Sequence, residues 1–132
     1  MNPIKVLLVD DEEEFTAGLS KVLRRRGFEV EVAGDAATAL SLTSGRTFDV
    51  ALLDVKMPGM DGIQLMGELH RRSPSLPIIL MTGHLSVGDE QEEPGRGAFA
   101  YLLKPHPIPE LIAVIQRAAQ SAGCSREDGK GP

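Results

Sequence analysis

The feature that most limits how this chain can fold is a set of short apolar runs, each stopped by a polar residue. Asp10 and Asp11 follow IKVLLV, Asp54 follows VALL, Thr82 follows IILM and Lys104 follows AYLL. A Val-, Ile- and Leu-rich run of about four to six residues, bounded by polar or Gly/Pro segments, reads as a parallel strand buried on both faces. In open α/β sheets, ligands bind in the crevice outside the carboxyl ends of the strands. These runs therefore bring three carboxylates, a hydroxyl and an ammonium to one edge of one sheet. Such a donor set suits a divalent cation and a phosphoryl group.

The segments between the runs carry helix signals. The first strand, about Lys5–Val9, leads into a helix that opens on Asp11, Glu12, Glu13 and Glu14 and ends at Arg24, Arg25, Arg26 and Gly27. Acids first and bases last complement the helix dipole, and glycine is a stop signal. Phe15, Leu19, Val22 and Leu23 fall at helical spacing and are expected to face the sheet. A second strand is expected over Phe28–Ala33, followed by a helix with Asp35 as N-cap, closed by Gly45. Val50–Leu53 reads as the third strand, and the loop from Met57 to Gly62, broken by Pro58 and Gly59, precedes a helix using Ile63, Leu65, Met66 and Leu69. Strands four and five are expected at Ile78–Met81 and Phe99–Leu103. The last helix is expected from Pro109, with Ile108, Leu111, Ile112, Ile115 and Ala119 as its buried stripe.

One stretch resists this pattern. LSVGDEQEEPGRG, between strands four and five, has almost no apolar stripe and supports at most one or two helical turns around Asp89–Glu93. A weak or mobile fourth helix is the expectation. Alternation of strands with helical crossovers predicts an α/β, doubly wound, five-stranded parallel sheet of order 2-1-3-4-5. Its switch point falls between strands one and three, beside Asp10, Asp11 and Asp54.

At 132 residues the chain fits one domain, taken as residues 1–120, with 121–132 a polar tail or the start of a linker. A net charge of −5 argues against a nucleic-acid surface. The apolar runs are too short to span a membrane, and the N-terminus lacks a secretory pattern, so a cytoplasmic setting is expected. The lone Cys124 reads as a bystander.

Asp10 and Asp11, taken singly, are explained equally well as acids at a helix start. Asp54 is not, because it ends an apolar run and precedes a Pro-Gly loop. Two carboxylates about 4 Å apart repel by roughly 4 kcal/mol at an effective dielectric near 20, so a cluster of them favours a bound cation. Asp54 is the expected phosphoacceptor, since a carboxylate can form an acyl phosphate. The expected cation is Mg²⁺, held by Asp11 and Asp54 with Asp10 acting through water. Lys104 and Thr82 would then bind phosphoryl oxygens.

VDDE at 9–12, LLDVKMPGMDG at 52–62, TG at 82–83 and YLLKP at 101–105 together resemble the response-regulator receiver domain of two-component signalling. The resemblance covers about residues 4–119 and implies a flavodoxin-like fold and a phosphorelay role. It implies Asp54 as the phosphorylated residue, Asp10 and Asp11 as the acid pair, the Lys56 carbonyl as a further Mg²⁺ ligand, and Thr82 and Lys104 as partners of the phosphate. Thr82 and Tyr101 match the family's switch positions, and a cis Lys104–Pro105 bond is implied. The implied partner is a histidine kinase or histidine phosphotransfer protein, with homodimerisation a further expectation. The module would transform no metabolite beyond making and hydrolysing its own acyl phosphate.

Other readings fit less well. A haloacid-dehalogenase-like phosphatase needs a second Asp where Lys56 stands, and a flavin carrier would meet acids where its phosphate binds. A degenerate receiver that only binds partners conflicts with the intact set Asp10, Asp11, Asp54, Thr82 and Lys104. Gly83 would leave the site accessible, and Lys56 and His84 flank it; His84 reads more readily as an exposed loop residue.

Overall fold

A computed structural model describes residues 3–56, 61–83, 98–104 and 107–130, with side chains of the last helix described as far as Ser121. The elements run β1 (Lys5–Val9), α1 (Glu13–Arg25), β2 (Glu29–Ala33), α2 (Ala36–Gly45), β3 (Val50–Asp54), α3 (Gly62–Arg72), β4 (Ile78–Thr82), β5 (Ala100–Leu103) and a terminal helix α4 (Ile108–Lys130). The strands form one sheet of order β2-β1-β3-β4-β5, every pair parallel, as the alternation of runs and helices predicts. Among the described residues, no helix is long and apolar enough to cross a membrane. The loop residues 57–60, His84, the short helix expected around Asp89–Glu93, the Lys104–Pro105 bond and His106 lie outside the described residues.

Two cores explain why the inner strands β1, β3 and β4 are almost continuously apolar. Val6, Leu8, Val50, Leu52, Ile79 and Met81 point to the face covered by α1 and the terminal helix. Their neighbours Leu7, Val9, Ala51, Leu53, Ile78 and Leu80 point to the face covered by α2 and α3. Successive strand residues alternate sides, so a strand covered on both faces has no polar position to spare. Complete burial of a Leu or Ile contributes about 1.5–3 kcal/mol, which sets the register firmly.

The helix signals hold in physical detail. Gly27 takes φ +95° just past α1, a left-handed conformation that glycine adopts without a Cβ penalty, and its N–H bonds the Arg24 carbonyl at 3.1 Å. The Asp35 carboxylate accepts from the Thr38 N–H at 2.7 Å and caps α2. Asp61 and Gln64 form a reciprocal capping box at the start of α3.

Three readings shift. In α1 the buried positions are Thr16, Leu19, Ser20 and Leu23, whereas Phe15 and Val22 are only half-buried. The hydroxyls of Thr16 and Ser20 donate to the carbonyls of Glu13 and Ala17, which lets these polar residues face the core. The stripe of the terminal helix includes Val114 and Ala118, while Ala119 is half-buried. Residues 121–130, assigned from composition to a tail or linker, continue that helix to Lys130. Once a docked first half has met the cost of nucleation, each added residue gains a hydrogen bond, even through Gly123 and Gly129.

Candidate functional site

β1 and β3 are adjacent, with Val9 opposite Leu53, so the residues that follow, Asp10 and Asp54, emerge side by side. Both are buried, at 3% and 7% exposure, while Asp11 is exposed. A carboxylate oxygen from each of Asp10, Asp11 and Asp54 lies within 4.8 Å of the other two. Backbone N–H groups fix two of the three: Glu12 donates to Asp10 at 2.9 Å and Lys56 to Asp54 at 3.4 Å.

Lys104 enters from the end of β5. Its backbone N–H bonds the Thr82 carbonyl at 2.7 Å, which extends the β4–β5 pairing and sends its side chain over the carboxylates. The ammonium lies 2.8 Å from Asp10, 2.5 Å from Glu12 and 3.8 Å from Asp54. It also sits 4.5 Å from the centroid of the Phe15 ring, a cation–π arrangement. Thr82, the last residue of β4, is buried at the same edge.

The cleft over this edge has a volume of about 880 Å³ and is lined by, among others, Asp11, Glu12, Phe15, Asp54, Lys56, Thr82, Gly83 and Lys104. Another hollow, of about 650 Å³, lies at the opposite end of the strands around Lys5, Glu31 and Arg46 and holds none of the expected site residues.

Charge crowding leaves a mark on protonation. Burial, reinforced by the negative charge of Asp10, pushes the Asp54 carboxyl up to about 6 against the opposing pull of Lys104. For Lys104, burial works to lower the pKa, but hydrogen bonds to Asp10 and Glu12 outweigh it and hold the ammonium above the ordinary lysine value. The site is a crowd of anions partly neutralised by the Lys104 ammonium.

Asp10, Asp11, Asp54 and Lys104 thus converge, and Lys56 and Thr82 line the same cleft. Tyr101 stands on β5 opposite Leu80, half-buried against the α2–α3 core and away from the cleft lining. Sequence reasoning missed Glu12 and Phe15 as partners of Lys104. Glu12 reads in the sequence as one more helix-start acid and Phe15 as one more apolar stripe residue. Nothing in their spacing points to Lys104, which lies 92 positions beyond Glu12.

Comparison with known proteins places the fold in a family. The family model for the response regulator receiver domain matches residues 6–116. The chain is 37% identical over 123 residues to the regulatory protein AtoC of Escherichia coli, covering 93% of this chain and 27% of that protein. It is 38% identical over 128 residues to the sensory transduction protein RegX3 of Mycolicibacterium smegmatis, covering 94% of this chain and 56% of that one. The chain thus spans between about a quarter and just over half of the length of these relatives. Among solved structures, a CheY-like receiver domain protein from Methanospirillum hungatei superposes with a TM-score of 0.87 at 28% identity, covering 94% and 99% of the two chains. The response regulator TrrA of Thermotoga maritima, solved in complex with Mg²⁺-BeF, superposes with a TM-score of 0.78 at 26% identity, covering 87% and 98%. Fold, strand-end chemistry and relatives converge, and the chain belongs to the response regulator receiver domain family.

Proposed function

We propose that this domain accepts a phosphoryl group on Asp54 in a Mg²⁺-dependent reaction, from a histidine kinase or a histidine phosphotransfer protein, and relays the signal by a change of conformation. The observation that carries this reading is the convergence of three carboxylates within 4.8 Å of one another beside the Lys104 ammonium. Such a set is costly when left alone and suited to a hard cation plus a transferred anion.

The donor set fits Mg²⁺: Asp11 and Asp54 would hold it with the Lys56 carbonyl, and Asp10 would act through water. The ion would supply charge neutralisation at the transferring phosphoryl oxygens. The chain supplies the rest. An Asp54 carboxylate oxygen attacks phosphorus, the bond from phosphorus to the donor nitrogen or oxygen breaks, and an acyl phosphate forms. Lys104 offers its ammonium to one phosphoryl oxygen and the Thr82 hydroxyl donates to another. Movement of Thr82 toward the phosphoryl group, coupled to inward rotation of Tyr101, would shift the population toward a signalling conformation.

Incubation with Mg²⁺ and a small acyl-phosphate donor, read by intact mass, tests this. The wild type is expected to gain one phosphoryl group, Asp54→Asn none, and Thr82→Ala one group without the wild-type NMR shifts at β5. A phosphoryl gain in Asp54→Asn equal to the wild type refutes the assignment.

Protonation sets a second expectation. The folded-state pKa of Asp54 is raised from 3.8 to about 6, so in metal-free protein this group favours folding at low pH. Its contribution is complete below about pH 4 and lost once the pH has risen past about 6. Mg²⁺ needs the ionised form, so its affinity is expected to be level above about pH 7 and to fall roughly tenfold per unit below about pH 6. An NMR titration of Mg²⁺ at several pH values checks this; an affinity unchanged down to about pH 4.5 contradicts it.

A further inference from the structure

Glu12 is the surprise of the site. It is exposed, it is not one of the three clustered carboxylates, and yet it makes the shortest contact of the Lys104 ammonium, at 2.5 Å. Asp10 takes the same ammonium at 2.8 Å, while Asp54 lies beyond hydrogen-bond reach at 3.8 Å. The Phe15 ring lies 4.5 Å from the nitrogen, and Phe15 and Glu12 both belong to the start of α1. The lysine is thus held toward α1 rather than toward the proposed phosphoacceptor.

We propose that Glu12 is a positioning residue that competes for Lys104 and sets how readily the ammonium turns to an anion carried on Asp54. The inference rests on the reading of Asp54 and Lys104 given above and adds a residue to it. An ammonium has three N–H donors, and Asp10 and Glu12 engage two of them. The third is left for an anion beside Asp54, but the two pairings hold the nitrogen 3.8 Å from the Asp54 carboxylate, so drawing it fully onto such an anion stretches them. Asp10 is buried and backbone-fixed, so it cannot follow or withdraw. The Glu12 side chain is 60% exposed, which makes its pairing with Lys104 the adjustable contact. An ion pair with one exposed partner is worth little in free energy, so Glu12 tunes the response and does not decide it.

The consequence is directional. Glu12→Gln keeps size and hydrogen-bonding capacity and removes the charge that draws Lys104 toward α1. Removing any nearby negative charge also eases anion entry, so the control must remove an equal charge without touching Lys104. Glu14 serves: it is exposed in the first turn of α1 and makes no ion pair among the described residues.

The test is titration of the Mg²⁺-loaded wild type, Glu12→Gln and Glu14→Gln with beryllofluoride, followed by NMR at the Gly83 amide. The Lys104 ammonium resonance is read in parallel on metal-free protein. Glu12→Gln is expected to need roughly two- to fivefold less beryllofluoride for half-saturation than Glu14→Gln. Its metal-free Lys104 ammonium is expected to exchange with water faster than in the other two proteins. Equal half-saturation in Glu12→Gln and Glu14→Gln, or weaker binding in Glu12→Gln than in the wild type, overturns the role of Glu12. Failure of the wild type to bind beryllofluoride overturns the underlying reading of Asp54 instead.

Discussion

Gly62→Ala is expected to destabilise the domain by about 3 kcal/mol, toward the upper end of what overpacking costs. Gly62 is the first residue of α3 and is buried against the end of β3, where its N–H donates to the Val55 carbonyl at 2.8 Å. A Cβ built there would fall on the Asp54 carbonyl oxygen and come within 2.9 Å of the Asp54 carbonyl carbon and the Val55 Cα. All three are backbone atoms, so no side chain can rotate aside. Either α3 must withdraw or the Asp54 backbone must move, and both disturb the phosphoacceptor. Urea denaturation of the variant, with phosphoryl gain measured on the fraction still folded, checks this. Stability within about 0.5 kcal/mol of wild type, with unchanged phosphoryl gain, would show that the close approach carries no weight.

Lys104→Ala is expected to cost about 3 kcal/mol in chelator and clearly less in saturating Mg²⁺. Removing one partner of a buried charge pair leaves the other uncompensated, with typical losses of about 3–5 kcal/mol. Here Asp10 is the buried partner left behind, while the exposed Glu12 simply returns to water, which places the expectation at the lower end. Lys104 also holds the Asp54 pKa down, so its removal should drive that carboxyl higher still. The penalty should therefore shrink as the pH falls and Asp54 takes up a proton, and shrink again when a cation replaces the lost charge. Paired urea titrations with and without Mg²⁺ at neutral and mildly acidic pH measure it. A loss that ignores both pH and Mg²⁺ would mean that Lys104 acts through packing alone.

The sheet was legible in the sequence because the inner strands, buried on both faces, demand unbroken apolar runs; each of the four runs became a strand, and the edge strand β2 showed itself by its alternation of valine and glutamate. The caps at Asp35 and the glycine stop at Gly27 were legible because each reflects a local hydrogen bond or a single dihedral angle. The convergence of Asp10, Asp54 and Lys104 followed from strand ends sharing one edge. What the sequence concealed depends on contacts between distant segments. Glu12 and Phe15 hold Lys104 through a meeting of α1 with the end of β5 that no local pattern encodes. Gly62 looked like one more loop-breaking glycine, while its constraint is the proximity of the Asp54 backbone. Thr16 and Ser20 face the core because their hydroxyls bond their own helix, which polarity alone would not suggest. The continuation of the terminal helix to Lys130 was hidden by a composition that suits a linker equally well.

A crystal structure of the domain with Mg²⁺ and beryllofluoride decides whether Asp54 is the phosphoacceptor of a metal-dependent site. One divalent ion is expected, held by Asp11, Asp54 and the Lys56 carbonyl, with beryllofluoride on an Asp54 carboxylate oxygen and the Lys104 ammonium drawn onto a fluoride. Carboxylates turned away from one another around an empty cleft, with Lys104 still on Asp10 and Glu12, would contradict it.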